Sequence, residues 1–244
     1  MKIDIVYVLG TGSKWDNNEI RHSLRSVEKN LKGYRNVFIV GNIPDWVQHV
    51  YDIEFRDLLQ DNADGNIILK VITACNYPDL SEEFLLMADD SFILQPVNAR
   101  EIEYMYKGDY PSLNKPGYFE ANTWRKRLGR TLKTLHDQGR TSFHYDCHFP
   151  FRINKYLFRR IMMNVSFELG IGYTVKSMYG NLANVSPNRK LTNTQYTIFK
   201  EYDEKTINRR LENSRFLSVN DSGLNSTMKA WIQKRFSEKS KYEK

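Results

Sequence analysis

A strand–helix–strand pattern in the first forty residues constrains this chain more than any other feature. Residues Ile3–Leu9 form an apolar, β-branched run that ends at a glycine-bearing turn, 10–13. Apolar residues then recur at helical spacing over 20–31, and a second apolar run follows at 36–41. Two strands joined by a helix form the unit of a parallel sheet, and such sheets bind ligands at the carboxyl ends of their strands. The sequence therefore predicts an α/β fold with its site at these turns.

Two adjacent acids follow a third apolar run. The strand predicted at 83–87 leads directly into Asp89 and Asp90. Like charges at the tip of a buried strand lower stability unless a cation or several hydrogen bonds compensate. Mg²⁺ binds a few carboxylates together with substrate phosphate oxygens. One interpretation is a divalent metal, Mg²⁺ or Mn²⁺, that stabilises a leaving diphosphate or nucleoside monophosphate; the other is a turn with helix-capping acids.

The composition indicates a globular protein without a membrane span. The chain has 244 residues, 41% hydrophobic and 27% charged, which suits one folded domain rather than a disordered chain. No apolar stretch approaches the roughly 18–20 residues that a span requires, and the short N-terminal run carries an acid, Asp4. Cys75 and Cys147 could form one bridge, but so few cysteines fit a reducing compartment better. We therefore expect a cytoplasmic protein.

The charge pattern suggests anionic partners. A net charge of +7 favours nucleotides, phosphoglycans, anionic lipid or nucleic acid. The basic segment 124–133 could hold a phosphoglycan, follow a nucleic-acid backbone, or form a solvated helix face. A tyrosine-rich stretch at 104–118 precedes it and predicts a lid or an acceptor loop.

Several segments carry a family resemblance, and they occur in the family's order. Near the N-terminus these are DNNEIRHSLRS at 16–26, VFIV at 37–40, IPDW at 43–46 and FLLMADDSF at 84–92. Further on they are HFPF at 148–151, FLSVND at 216–221 and the tail 234–243. They resemble motifs of the Stealth family, such as its D-N-D-E-L-R-Y-S-L-R-S. Its members are bacterial capsular polysaccharide phosphotransferases, similar to the catalytic subunit of lysosomal N-acetylglucosamine-1-phosphotransferase.

The resemblance implies roles for individual residues. It implies metal and diphosphate binding at Asp89 and Asp90, with Asp90 also counted as catalytic. It implies a catalytic role for His148, whose imidazole could act as general base. It also implies an active-site contribution from Asp221, with Asn220 beside it binding substrate.

Further residues are candidates for substrate binding. Gly10, Thr11 and Gly12 suit a turn whose backbone amides approach a phosphate, although a simple tight turn is equally compatible. Arg21 and Arg25 lie four residues apart on one helix face, where they could reach nucleotide phosphates or form a structural ion pair.

The chain also departs from the family pattern. Lys176, a further candidate for substrate binding, is the nearest counterpart of the family's active-site arginine, and lysine supplies charge without a bidentate fork. The opening VYVLGTGSK lacks the acid and the tryptophan of the family's V-Y-T-W-V-D-G-S-D. Cys147 and His144 could begin a zinc site, but no second pair completes one.

We therefore expect a GT-A-like nucleotide-sugar-binding core with a mainly parallel sheet and a helical C-terminal part. The single transferase domain, 1–244, divides into a nucleotide-binding half, 1–97, and an acceptor and catalytic half, 98–244. Its predicted activity is metal-assisted transfer of a sugar-1-phosphate or glycosyl group from a nucleotide-sugar to an acceptor hydroxyl. The predicted acceptor is anionic, a glycan or modified DNA. The alternatives are a glycosyltransferase acting on a modified nucleic-acid base and a non-catalytic glycan- or nucleotide-binding module.

Overall fold

Short strands and helices alternate along the chain. The computed structural model describes residues 3–115, 117–187, 189–190, 195–198 and 200–244. The strands of this part are β1 (Ile3–Leu9), β2 (Leu31–Lys32), β3 (Tyr34–Gly41), β4 (Tyr51–Glu54), β5 (Glu83–Met87), β6 (Ser91–Ile93), β7 (Val97–Asn98), β8 (Met105–Tyr106), β9 (Phe151–Asn154), β10 (Arg189–Lys190), β11 (Gln195–Ile198) and β12 (Phe216–Val219). Its helices are α1 (Asn18–Asn30), α2 (Ala63–Cys75), α3 (Thr123–Asp137), α4 (Lys155–Met162), α5 (Val175–Leu182), α6 (Glu204–Leu211) and α7 (Ser226–Arg235).

The central sheet has the strand order β4-β3-β1-β5-β9. The four strands β4, β3, β1 and β5 are parallel, and β9 joins antiparallel to β5. This confirms the predicted α/β class and the mainly parallel sheet. The chain first builds outward from β1 to β3 and β4 and then places β5 on the other side of β1. The carboxyl ends of β1 and β5 therefore flank a topological switch point, where open α/β sheets bind ligands.

Alternation along β1 sends its side chains into two separate cores. Ile5 and Tyr7 pack on the side of α1, whereas Val6 packs on the side of α2. This follows from the two-residue period of a strand. All three side chains are fully buried, so β1 is covered on both faces, as parallel strands usually are.

Helix α1 holds β6, the strand that follows the two acids. Ser23 Oγ donates to the carbonyl of Ser91 at 2.5 Å, and Asn30 Nδ2 donates to the carbonyl of Ile93 at 2.6 Å. The Ile93 amide in turn donates to Ser26 Oγ at 3.0 Å. These contacts give buried backbone groups of β6 their partners. Ser23 and Ser26 of the DNNEIRHSLRS segment therefore have structural roles.

The C-terminal part is not simply helical. It contributes α4 to α7, but it also supplies β9 to the central sheet and β12 to a second sheet of order β11-β12-β6. The residues 1–97 and 98–244 are thus interleaved, because β5 pairs with β9 and β6 pairs with β12. The helical prediction missed these strands because four residues are too few to show a clear period.

Three tyrosines of the tyrosine-rich stretch pack against other aromatic rings. The rings of Tyr104 and Tyr106 lie against Phe151 and Phe143, and Tyr110 stacks on a histidine ring.

Cys75 and Cys147 are both free and buried. Of the helices in the described ranges, none has the length and apolar character needed to cross a membrane.

The end of the chain is fastened to α1 through Glu243. Arg25 donates to both Glu243 carboxylate oxygens, at 2.8 and 2.7 Å, and the amide and hydroxyl of Ser240 donate to Oε1. Burial by itself would raise the pKa of Glu243, but these hydrogen bonds and the charge of Arg25 outweigh it and lower the pKa to about 2. The ionised carboxylate therefore contributes to stability.

We predict that Glu243→Gln lowers the free energy of unfolding at pH 7 by on the order of 2 kcal/mol. Because the folded-state pKa is depressed, the contribution is present above the unfolded pKa of about 4.5 and is lost as the pH falls toward 2. Urea unfolding of both proteins between pH 3 and pH 7 measures this. The gap between their free energies of unfolding should become smaller as the pH falls. Glu238→Gln, at an exposed site in the same tail, is the control. A gap that does not change with pH would contradict the prediction.

Candidate functional site

A cavity of about 250 Å³ opens at the carboxyl ends of β1 and β5. We call it the Asp89–His148 cavity. Its floor is apolar, from Val8 and Leu86. Its polar wall consists of Asp64, Asp89, Asp90, Trp124, Arg127, Asp146, His148 and Lys176. The structure therefore brings together Asp89, Asp90, His148 and Lys176, which come from three regions far apart in sequence.

Asp89 is a carboxyl group under electrostatic strain. Burial first, and then the negative charges of Asp90 and Glu19, together raise its pKa to about 7. Its side chain accepts a hydrogen bond from the Asp90 amide at 3.1 Å. Glu19 is itself buried in the first turn of α1 and accepts a hydrogen bond from Ser13 Oγ at 2.8 Å. A cation at this edge would relieve the accumulated negative charge.

Asp90 and His148 form a close pair. His148 Nδ1 lies 2.9 Å from Asp90 Oδ2 and 3.2 Å from Oδ1. The negative charge of Asp90 is the main cause that raises the pKa of His148, and burial opposes it. When Nδ1 donates to the carboxylate, Nε2 of the neutral ring is left as a proton acceptor. An imidazole oriented by a carboxylate is the arrangement of a general base.

Lys176 lies behind His148. Its Nζ donates to the carbonyls of Cys147 and Phe149, both at 2.6 Å. The side chain is buried, and this desolvation lowers its pKa to about 8. Lys176 therefore contacts the backbone on both sides of the histidine.

The remaining wall combines acids with an arginine and an indole. Burial raises the pKa of Asp64 to about 6, against the effect of Arg127, whose Nη1 lies 2.9 Å from Asp64 Oδ1. Trp124 Nε1 donates to Asp146 at 3.0 Å. Burial opposes ionisation of Asp146, but Lys107 and the neighbouring histidines outweigh it, so that its pKa lies below the usual range. The guanidinium of Arg127, the indole of Trp124 and the two carboxylates thus border the same cavity.

A second pocket, of about 320 Å³, lies at the carboxyl ends of β1, β3 and β4. Gly10 and Thr11 line it, whereas Gly12 is exposed outside its lining. Gly41 also lines it and has a φ of 128°; a Cβ there would lie 2.0 Å from the Leu9 carbonyl oxygen, so only glycine fits. Lys70 of α2 enters the pocket and pairs with Asp57 at 2.5 Å. We call it the β1–β3–β4 pocket.

The two predicted arginines of α1 lie elsewhere. Arg25 is paired with Glu243, and Arg21 lies over the ring of Trp46, 4.5 Å from its centroid. Neither is among the residues that line the two pockets. For Arg25 the structure thus favours the structural ion pair, because the C-terminal tail supplies a buried carboxylate within reach.

Asn220 and Asp221 lie in a turn after β12, outside the lining of both pockets. Asn220 Oδ1 accepts from the Gly223 amide at 2.9 Å, and the exposed Asp221 pairs with Lys14 at 2.7 Å. The turn is nonetheless near the acids in the fold, because the amide of Val219 donates to the carbonyl of Asp90. Contact of Asn220 or Asp221 with a substrate stays a prediction.

Most basic side chains of α3 have partners within the protein. Arg125 lies over the ring of Tyr118, and Arg130 lies over Tyr173 and donates to the carbonyls of Ser166 and Leu169. Arg127 pairs with Asp64, and Lys133 pairs with Asp137. Lys126 and Lys133 are exposed, but the three arginines of the segment are engaged within the protein, so it presents fewer open cations than its sequence suggests.

The donor set limits which metal this site could hold. Within the described ranges, no group of three or more His, Cys, Asp or Glu side chains has a metal-binding arrangement. This gives the zinc interpretation of Cys147 and His144 no support. Asp89 and Asp90 are two neighbouring carboxylates. They suit a metal that takes its other ligands from substrate and water, as Mg²⁺ does.

Sequence reasoning missed three acids near this site: Glu19, Asp64 and Asp146. Asp64 follows the N-cap of α2, Asn62, whose side chain accepts from the Gly65 amide, and an acid there looks like ordinary helix capping. Asp146 lies two residues before His148, and both line the Asp89–His148 cavity. The spacing between Asp146 and His148 could therefore have been noticed in the sequence, whereas an acid at the position of Asp64 is not distinctive.

Comparison with known proteins gives no assignment. No protein-family model matches this chain, and no curated protein sequence matches it. The resemblance to the Stealth family therefore rests on the quoted segments alone.

We predict that Asp89→Asn stabilises the metal-free protein above pH 7. The folded-state pKa of Asp89, about 7, exceeds its usual value of 3.8, so ionisation costs stability as the pH rises between these values. Thermal unfolding in EDTA should show the variant and wild type converging near pH 4 and differing by on the order of 2 kcal/mol at pH 8. Asp52→Asn, at an exposed position on β4, is the control. A destabilised Asp89→Asn at pH 8 would contradict the prediction.

Proposed function

We propose that this protein is a metal-assisted transferase that takes a sugar-1-phosphate or a glycosyl group from a nucleotide-sugar and passes it to an acceptor hydroxyl. One observation supports this most: the Asp90–His148 pair stands beside the strained Asp89 at the switch point of a parallel sheet. This combines a candidate base with an acidic edge for a cation. The Stealth-like segments at 84–92 and 148–151 supply these same residues.

His148 acts as the general base. Its Nδ1 is held by Asp90, so Nε2 takes the proton of the acceptor hydroxyl as the new bond forms. Asp90 then stabilises the imidazolium, as a carboxylate partner does for a catalytic histidine. The ring is half-exposed to the cavity, which leaves room for an acceptor.

Asp89 and Asp90 would hold the divalent metal. When bound, Mg²⁺ or Mn²⁺ neutralises charge that develops on the leaving phosphate. The carboxylates of Asp89 and Asp90 make this end of the cavity negative. It therefore attracts a cation and repels an unaccompanied phosphate. The two carboxylates also orient the donor, since the diphosphate must approach that cation.

The β1–β3–β4 pocket takes the nucleoside part of the donor. Both pockets border β1 and α2: Val8 and Asp64 line the cavity, and Leu9 and Lys70 line the pocket. A single extended ligand can therefore occupy both, with its nucleoside near Thr11 and its diphosphate toward Asp89. This division fits a GT-A-like core.

The acceptor class we favour is a glycan. Duplex or single-stranded nucleic acid is bound through rows of lysine and arginine that face the phosphates. Arg125, Arg127, Arg130 and Lys133 of α3 have intramolecular partners instead. A glycan hydroxyl beside Asp64, Arg127 and Trp124 needs no such row. A cytoplasmic location agrees with a nucleotide-sugar donor.

Incubation with a panel of nucleotide-sugars, Mn²⁺ or Mg²⁺ and oligosaccharide acceptors tests the proposal, with released nucleotide as the readout. We expect metal-dependent release that falls at least ~100-fold in His148→Ala and in Asp90→Asn. His136→Ala, at an exposed site on α3, should leave the rate unchanged.

The released product separates the two chemistries. Nucleoside monophosphate indicates sugar-phosphate transfer, and nucleoside diphosphate indicates glycosyl transfer. Donor binding without any release would favour a non-catalytic binding module. Neither binding nor release across the panel would overturn the transferase proposal.

We also predict that Thr11→Trp blocks the nucleoside pocket. The indole would fill space beside Gly10 and Gly41, so the KM for the donor should rise roughly tenfold or more with kcat changed less than about twofold. Leu58→Trp is the control, because Leu58 is exposed near the pocket without lining it. A lower kcat at unchanged KM would contradict the placement of the nucleoside.

A further inference from the structure

The segment 143–149 leads to His148, and it is held along one side by α5. The amide and carbonyl of Phe143 both bond to the side chain of Asn181, at 2.9 and 2.8 Å. Two residues on, the amide of Tyr145 donates to Ser177 Oγ at 2.9 Å. Lys176 continues the series with the carbonyls of Cys147 and Phe149. Every second residue of the segment is thus bonded to a side chain of α5.

The intervening residues lie on the other side. His144 exchanges backbone hydrogen bonds with Lys107 and Gly108, and Asp146 and His148 line the Asp89–His148 cavity. The backbone bonds to α5 therefore determine how far His148 reaches into the cavity.

Lys176 occupies an unfavourable position for a lysine. It is the second residue of α5, where the helix dipole opposes a positive charge, and it is 8% exposed. Burial also opposes the charged form. The two short hydrogen bonds to carbonyls offset these costs only as long as Cys147 and Phe149 stay where they are. Such a local conflict is more typical of a functional site than of a stabilising one.

We infer that Lys176 is a positioning residue, which fixes the backbone on both sides of His148 and thereby holds the imidazole against Asp90. The catalytic consequence rests on the proposed function, whereas the positioning itself does not. This differs from the substrate-binding role expected from the sequence. The ammonium group has three protons, and two of them point to backbone carbonyls.

Lys155 offers a matched control. It is also buried, at 7% exposed, and its Nζ donates to the carbonyl of Leu80 at 2.7 Å, outside the lining of the cavity. Lys176→Met and Lys155→Met each remove one buried ammonium and its carbonyl contact. Both variants should therefore lose thermal stability, and only the first should affect His148.

The experiment compares both variants and Lys176→Arg in the full chain by steady-state kinetics and by hydrogen–deuterium exchange. In Lys176→Met we expect kcat to fall about 100-fold with the donor KM within about threefold, since a small misplacement of a base is costly. Exchange of the amides of 143–149 should rise in the same variant. Lys176→Arg keeps the charge and the donors and should recover at least part of kcat. Lys155→Met should match wild type in kcat and in exchange of this segment.

Different failures have different meanings. A raised donor KM at unchanged kcat in Lys176→Met would overturn positioning in favour of direct substrate binding. Equal kcat in the two methionine variants would also overturn it. If wild type shows no turnover with any donor, the proposed function fails instead. Exchange then decides alone: a rise confined to Lys176→Met supports positioning of the segment, and unchanged exchange overturns it.

Discussion

Burial of β5 on both sides is the constraint on which the site depends. Strand β5 pairs with β1 and β9, and from Phe84 to Met87 each side chain is buried. The two acids that follow can therefore move little. Desolvation raises the pKa of Asp89, and the negative charges of Asp90 and Glu19 add to this effect. The fold maintains a concentration of negative charge that free side chains would avoid.

The response to this charge differs between the two acids. Asp90 has His148 within 2.9 Å, whereas the strongest charges acting on Asp89 are themselves acids. Asp90 thus has a basic partner, whereas negative charge dominates the surroundings of Asp89. This asymmetry gives two neighbouring carboxylates two different electrostatic environments. It depends on α1, whose Ser23 and Ser26 hold β6 and so fix the far end of the acidic turn.

Local sequence patterns were sufficient for the β1–α1–β3 unit and for β5. Their apolar runs are long enough to show a period, and the structure confirms their class and their parallel pairing. Strands β9 and β12 were missed because they are four residues long, and because β9 pairs with β5 and β12 pairs with β6, both far away in sequence. Pairing at that range depends on tertiary contacts that no local window contains.

The same distinction applies to the candidate site. Asp89, Asp90 and His148 could be found because each belongs to a short segment that resembles a known motif. The surroundings of Arg25 could not, since its partner Glu243 lies 218 residues further along the chain. Net charge identifies a binding surface less directly, for a related reason. The positive charge of α3 suggested an anionic surface ligand, but arginines such as Arg127 are used to compensate buried acids such as Asp64. A count of charges does not distinguish cations that face solvent from cations already paired inside the fold, and only the second kind shapes this cavity.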